Sequence, residues 1–396
     1  MSTTRPVRSR RRFPAFDGLR AVGALFVVTT HVGFHSGASL NTEFRGLLSR
    51  MDSGVAIFFV LSGFLLFRPH VVAWLEGAPG PRLMTYLRHR ALRILPALWL
   101  AVLGSALLLE QRDVPLAAYL RTATLTQIYT GGNEAQGLTQ MWSLATEGAF
   151  YVLLPLAAYV VTRGRPTPRA VGARLLVLLA TPLAGAAWMA FSSTAGHPLM
   201  AVWLPGFVGW FGVGMALALW QAAREAGLLR GGRLDLLAGS PSTAWALAAT
   251  LFLVLASPVA GPYSLAPPTP FEAGSKSLLY AVFALLVVLP ATATAESVPP
   301  LVRPLGGRVA RWLGDVSYGV FCYHLIVLGL LEQAMDYRIF SGGFLRLWVP
   351  TVVLTLVVAA ASHYLLERPV MRRGRRTRRI RVSPQATVAT ATNASA

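Results

Sequence analysis

Ionisable side chains stand where this sequence is otherwise apolar. The stretch FDGLRAVGALFVVTTH (16–31) has Arg20 near its start and His31 at its end. Burying such groups in hydrocarbon is costly, so they gather in pairs, wet cavities or functional sites. Eleven helical positions make three turns plus about 20°, so both residues project from one face, about 16 Å apart along the axis. One face would then offer a fixed cation below and a titratable base above. The bland alternative has Arg20 reaching lipid phosphate and His31 closing a helix contact. Glu147 lies in QMWSLATEGAFY (140–151). With Trp142 at the outer interface, its carboxylate is expected about one turn lower, near the depth of His31. There it could orient an imidazole, bind a sugar hydroxyl or pair with an outer-loop arginine.

Two further stretches carry chemistry. YLRHRALRILP (86–96) places Arg90 and Arg93 on one helix face, with Arg88 and His89 beside them. Guanidinium groups at such a place suit phosphate and serve equally to mark a membrane interface. LGDVSYGVFCYHLI (313–326) sets Ser317 and Tyr318 near one end of an apolar run and His324 some two turns deeper. These residues could line a polar path or hydrogen-bond within a bundle. His35, His70, His197 and His363 have no companion motif and read as structural. The single cysteine, Cys322, excludes a disulfide within one chain and argues against a cysteine-based metal site, and no metal is expected.

The elements that must hold these residues are membrane helices. Of the 396 residues 54% are hydrophobic and only 13% charged, with a mean hydropathy of +0.54; a soluble chain of this size needs a far more polar surface. Apolar stretches approaching the roughly 20 residues of a membrane span recur at 19–34, 54–73, 93–110, 143–161, 174–191, 199–220, 242–258, 276–293, 312–331 and 344–366. The expected fold is therefore all-α, a polytopic membrane protein of about ten helices. The basic residues before the first apolar run suggest a signal peptide, but Asp17 and Arg20 flank that run and no small-residue cleavage site follows. A retained first helix is expected.

Charge supports this topology independently. With both termini cytoplasmic, 29 of the 36 Lys and Arg residues fall inside; outside lie only Arg45, Arg50, Arg112, Arg121, Lys276, Arg338 and Arg346. That is the positive-inside pattern. It also accounts for the net charge of +20 and the pI near 11.4, so nucleic acid is not expected as a partner. The tail RRGRRTRRIR (372–381) suits anionic lipid instead. The organisation expected is a basic cytoplasmic tail over 1–12, a membrane domain over 13–370, and a basic, low-complexity, disordered tail over 371–396.

Taken together, the quoted stretches, with SGVAIFFVLSGFLLFRP (53–69) and the closing LERP (366–369), resemble acyltransferase family 3 from about residue 13 to 370. That resemblance implies a bacterial cell-membrane enzyme, an O-acyltransferase using cytoplasmic acyl-CoA, most simply acetyl-CoA, as co-substrate. The acceptor would be a hydroxyl of a cell-envelope glycan or glycolipid, or of a secondary metabolite such as a macrolide. Carried over residue by residue, Arg20, Arg90 and Arg93 would bind acyl-CoA. His31 would act as the catalytic base with Glu147 orienting a partner, and Ser317, Tyr318 and His324 would line the donor channel or polarise the thioester carbonyl. Two departures stand out. Position 56 is Ala where many relatives carry an acidic residue, which removes one candidate acceptor contact. No C-terminal SGNH-type esterase stretch follows, so this chain is expected to complete transfer alone or hand its product to a partner. The competing class is a membrane carrier or flippase for a small anionic or lipid-linked substrate, which would have no need of an inner arginine cluster below a deep histidine.

Overall fold

The computed structural model describes residues 12–373 except 112, 133, 264–265 and 294–297; of the two terminal tails only residues 12 and 371–373 are described, and the last three are helical where a disordered tail is expected to begin. Among those described there are helices and loops only. The helices are α1 (Ala15–His35), α2 (Ala38–Asn41), α3 (Arg45–Arg50), α4 (Gly54–Leu75), α5 (Leu83–Leu108), α6 (Leu116–Ala123), α7 (Gln127–Thr130) and α8 (Met141–Val161). They continue as α9 (Pro168–Ser192), α10 (Leu204–Glu225), α11 (Arg233–Gly239), α12 (Pro241–Leu255), α13 (Pro270–Val288), α14 (Arg308–Ala334) and α15 (Phe344–Ser362).

Nine helices are long and apolar enough to cross a membrane, and a tenth crossing is available if α11 and α12, bent by 95°, act together. Packing decides the tenth. α1 and α14 lie side by side and run the same way: Asp17 abuts Gly314, His31 meets His324 and His35 meets Glu332. Parallel neighbours require an odd number of crossings between them. α4, α5, α8, α9, α10 and α13 supply six, and α12 is the seventh. Its foot is tied near the end of α13, where Trp245 Nε1 donates to the Val287 carbonyl at 3.2 Å. Its head meets α3, where Arg50 Nε donates to the Leu255 carbonyl at 3.0 Å. Fifteen residues rise only about 22 Å, short of a roughly 30 Å hydrocarbon core, and α11 folds across the foot. The expected run 242–258 is thus a short span.

Close helix contact is made possible by missing side chains. A Cβ on Gly214 of α10 would stand 2.0 Å from the Val60 carbonyl oxygen of α4, and one on Gly63 would stand 2.2 Å from that of Phe211. α4 and α10 are therefore pressed backbone to backbone, in the manner of small-residue interfaces in membranes. A clamp ties their inner ends: buried Arg68 donates to Gln221 Oε1 and pairs with Glu225, each at 2.9 Å. The Phe13 ring lies 5.1 Å beneath the Arg68 guanidinium.

The start of α5 differs from the expected span. The helix begins at Leu83, ten residues before the apolar run at 93–110. Helix-compatible polar residues continue it past the hydrocarbon edge, which puts Arg90 and Arg93 on a rigid rod rather than in a loop.

Candidate active site

α4 stands between α1 and α8, and this decides where Glu147 goes. Gly54, the first residue of α4, packs on Gly23 and Val27 of α1. Ser62, eight residues on, lies about 12 Å further toward the arginine side. The Ser62 hydroxyl donates to Glu147 Oε1, and Tyr151, one turn along α8, donates to the same oxygen at 2.8 Å. Glu147 is therefore not beside His31, as its spacing from Trp142 led one to expect. It belongs to the level of the arginines, because a helix descending beside α4 rather than α1 meets α1 at a different height.

A cavity with about 730 Å³ of empty space, counting its open mouth, joins Arg20, Arg90, Arg93, Glu147, Ser317 and Tyr318. Its far wall is built by Val55, Phe58 and Phe321. Arg90 also borders two inner vestibules, one shared with Tyr86 and His89 and one with Arg93 and Met371. The electrostatics are one-sided. Arg20 pairs with Asp17 at 3.1 Å, whereas neither Arg90 nor Arg93 forms an ion pair among the described residues. The Arg90 guanidinium lies 5.9 Å over the Tyr151 ring, and its buried Nε has no hydrogen-bond partner. The buried Tyr86 hydroxyl is likewise unsatisfied. Buried polar groups are rarely left so. Three guanidinium groups against one carboxylate, Glu147, leave the cavity with an excess of positive charge, which suits an anionic ligand.

Ser317 and Tyr318 line this cavity, but neither hydroxyl has a proton to spare. Ser317 donates to the Gly314 carbonyl at 2.8 Å and Tyr318 to the Ile94 carbonyl of α5 at 2.6 Å. Both residues stand in the wall of the cavity with their hydroxyls engaged on backbone carbonyls. His324, by contrast, does not line this cavity. It is fully buried one turn beyond Phe321, with Nδ1 on the Phe321 and Val320 carbonyls at 2.8 and 3.1 Å and Nε2 on His31 Nδ1 at 3.1 Å. His31 Nδ1 also faces the Val27 carbonyl at 2.8 Å. Just beyond, His35 pairs with Glu332 at 2.7 Å. Among the described residues no group of His, Cys, Asp and Glu comes together that could hold a metal ion.

Two partners escaped sequence reasoning. Ser62 sits in a quoted stretch without a role, and nothing in the chain ties it to Glu147, 85 residues away. Tyr151 was within reach: four positions after Glu147, it lies on the same helix face.

The bundle thus holds a polar, arginine-rich cavity on one side and an imidazole pair beyond it. The acyltransferase domain that defines acyltransferase family 3 matches residues 13–364, and the chain belongs to that family. Among its relatives, YrhL of Bacillus subtilis (strain 168), provisionally named a peptidoglycan O-acetyltransferase, is 28% identical over 391 residues. The match covers 93% of this chain and 56% of YrhL. The peptidoglycan O-acetyltransferase OatA of Listeria monocytogenes is 24% identical, over 92% of this chain and 57% of OatA. The chain thus spans a little over half the length of these two. Acyltransferase MdmB of Streptomyces mycarofaciens is 27% identical, over 94% of this chain and 95% of MdmB. No solved structure matches the chain.

Proposed function

We propose that this protein is a membrane O-acyltransferase that takes an acetyl or other short acyl group from acyl-CoA on its arginine side and passes it to a hydroxyl on or near the opposite side. The observation that carries this reading is the cavity in which Arg20, Arg90 and Arg93 converge while Arg90 Nε and the Tyr86 hydroxyl stand without partners. Phosphates are the natural counter-ions for such forks. The positive-inside distribution favours a cytoplasmic arginine side. From there an extended pantetheine arm has about the reach of the Arg20–His31 rise, about 16 Å, and would bring its thioester up toward Phe321 and the imidazole pair.

His31 is then the general base, and Glu147, held by Ser62 and Tyr151, shapes the donor end of the cavity. The acceptor is a hydroxyl of a cell-envelope glycan, as the names of the Bacillus and Listeria relatives suggest, or of a glycolipid or macrolide.

The test is direct. The protein, purified and returned to liposomes, is given radiolabelled acetyl-CoA with soluble peptidoglycan fragments or a macrolide, and the products are separated by mass. Acetylated product formed by wild type and lost in His31→Ala supports the reading. Acetyl-CoA that is neither bound nor consumed by a folded protein refutes it. Movement of an unmodified solute across the liposome would support a carrier instead.

A further inference from the structure

We infer that His324 is a positioning residue for His31: it fixes which nitrogen of His31 is bare and shares the charge when that nitrogen takes a proton. This rests on His31 being the base.

The tautomers follow from the partners. A backbone carbonyl only accepts hydrogen bonds, so His324 Nδ1, 2.8 Å from the Phe321 oxygen and 3.1 Å from that of Val320, must carry the N–H. In a neutral imidazole the other nitrogen is then a lone pair. His324 Nε2 is thus an acceptor, and it faces His31 Nδ1 at 3.1 Å. The other neighbour of His31 Nδ1 is the Val27 carbonyl at 2.8 Å, a second acceptor. His31 Nδ1 therefore holds a proton shared between two acceptors, which leaves Nε2 as its lone-pair nitrogen. That Nε2 has no hydrogen bond among the described residues, and His31 is only half-buried. A bare nitrogen with access is what a general base needs. His324, by contrast, has no exposed surface and cannot meet a substrate. It acts through His31 alone.

The step balances without further reagents. The acceptor hydroxyl gives its proton to His31 Nε2 while its oxygen bonds to the acyl carbon. The C–S bond breaks with its electron pair on sulfur, and Nε2 returns the proton there to release the thiol. Between these events His31 is an imidazolium, and its Nδ1–H bond to His324 Nε2 becomes charge-assisted and stronger. His324 thus does for His31 what a buried carboxylate does for the histidine of a serine protease, holding tautomer and orientation. It does so without adding a negative charge to a membrane interior, where an unpaired carboxylate is expensive.

The experiment compares His324→Leu and His324→Gln with His31→Ala, measuring acetyl transfer from acetyl-CoA to soluble peptidoglycan fragments. A glutamine carbonyl at 324 can still accept the Nδ1 proton; leucine cannot. With the Val27 carbonyl still in place, His324→Leu loses one charge-assisted bond and should lower kcat about 10–10²-fold with both KM values within about twofold, and His324→Gln should recover most of that loss. Equal losses in the two variants, or a loss carried by KM, would overturn the inference.

A second measurement guards against misfolding of the leucine variant. His31 replaced by Nδ1-methylhistidine keeps Nε2 but loses the shared proton, and should fall by a similar factor. Activity retained in that protein would also overturn the inference. The two readings fail separately: wild-type activity in His31→Ala removes the base itself, whereas a dead His31→Ala beside a fully active His324→Leu removes only the positioning role.

Discussion

Replacing both Arg90 and Arg93 by alanine separates ligand binding from folding unusually well. Neither arginine forms an ion pair among the described residues, so the double variant strands no carboxylate. What the fold loses is the cation–π contact of Arg90 with Tyr151, about 0.5–1 kcal/mol. What a phosphate-bearing ligand loses is larger. A hydrogen bond to a charged group contributes about 1.5–3 kcal/mol, so two lost forks weaken binding by about 3–6 kcal/mol, or about 10²–10⁴-fold in Kd. Equilibrium binding of radiolabelled acetyl-CoA to the purified protein in detergent measures this, with thermal unfolding as the control. Wild-type affinity should also fall as salt rises, and the variant's residual affinity should depend on salt less steeply. Wild-type affinity in a variant of unchanged Tm would refute the reasoning and move the phosphate site elsewhere. Arg20 is a poorer test, because its removal leaves Asp17 alone.

Other outcomes follow from single contacts. Glu147→Gln keeps an acceptor for Ser62 and Tyr151 but turns two charge-assisted bonds into neutral ones, about 1 kcal/mol each, so transfer should slow about 30-fold; an unchanged rate would remove this network from the reaction. Gly214→Ala would put a methyl group 2.0 Å from the Val60 oxygen and should destabilise by about 1–3 kcal/mol. Gly172→Ala, inside α9 with nothing within 4 Å, should leave Tm unchanged or slightly raised, and equal Tm values in both would contradict the close α4–α10 contact. Arg68→Ala removes a charged partner from Glu225, which keeps its bond from Gln221 Nε2 at 2.8 Å, and should cost about 1.5–3 kcal/mol, read as Tm and yield, with Arg68→Met no better. Lys276 is the sole lysine and pairs with Asp52 at 2.7 Å on the side opposite the arginines. A membrane-impermeant amine reagent should modify it in intact cells, and modification only after lysis would reverse the orientation.

Much of the bundle was legible because hydropathy and charge are local properties: the first span, with Arg20 and His31 on one rod, needs only its own residues to be read. Three things were not. The length of α12 depends on α11 folding under it, which no window of sequence shows. The height of Glu147 depends on α4 standing between α8 and α1, so a depth estimated from Trp142 along one helix misplaced it by the offset between helices. The partner of His31 lies 293 positions away on α14, and spacing along one helix says nothing of a neighbour. The hydroxyl of Tyr318 repeats the point, since its commitment to the Ile94 carbonyl is visible only once α5 is packed on α14.

The parallel contact of α1 with α14 has a consequence for biogenesis. The half of the site on α1 emerges from the ribosome first and waits for a helix that starts at Arg308. At about 5–20 residues per second, the 293 positions between His31 and His324 take about 15–60 s to synthesise. At the start of that interval, before α4 is made, the nascent first helix carries an arginine near the bilayer with no later helix to shelter it. Asp17, one turn before Arg20 and bonded to it at 3.1 Å, is a counter-ion that arrives with it. The first segment thus enters the membrane with its own charge already balanced, and the site closes only when nearly the whole chain has been made.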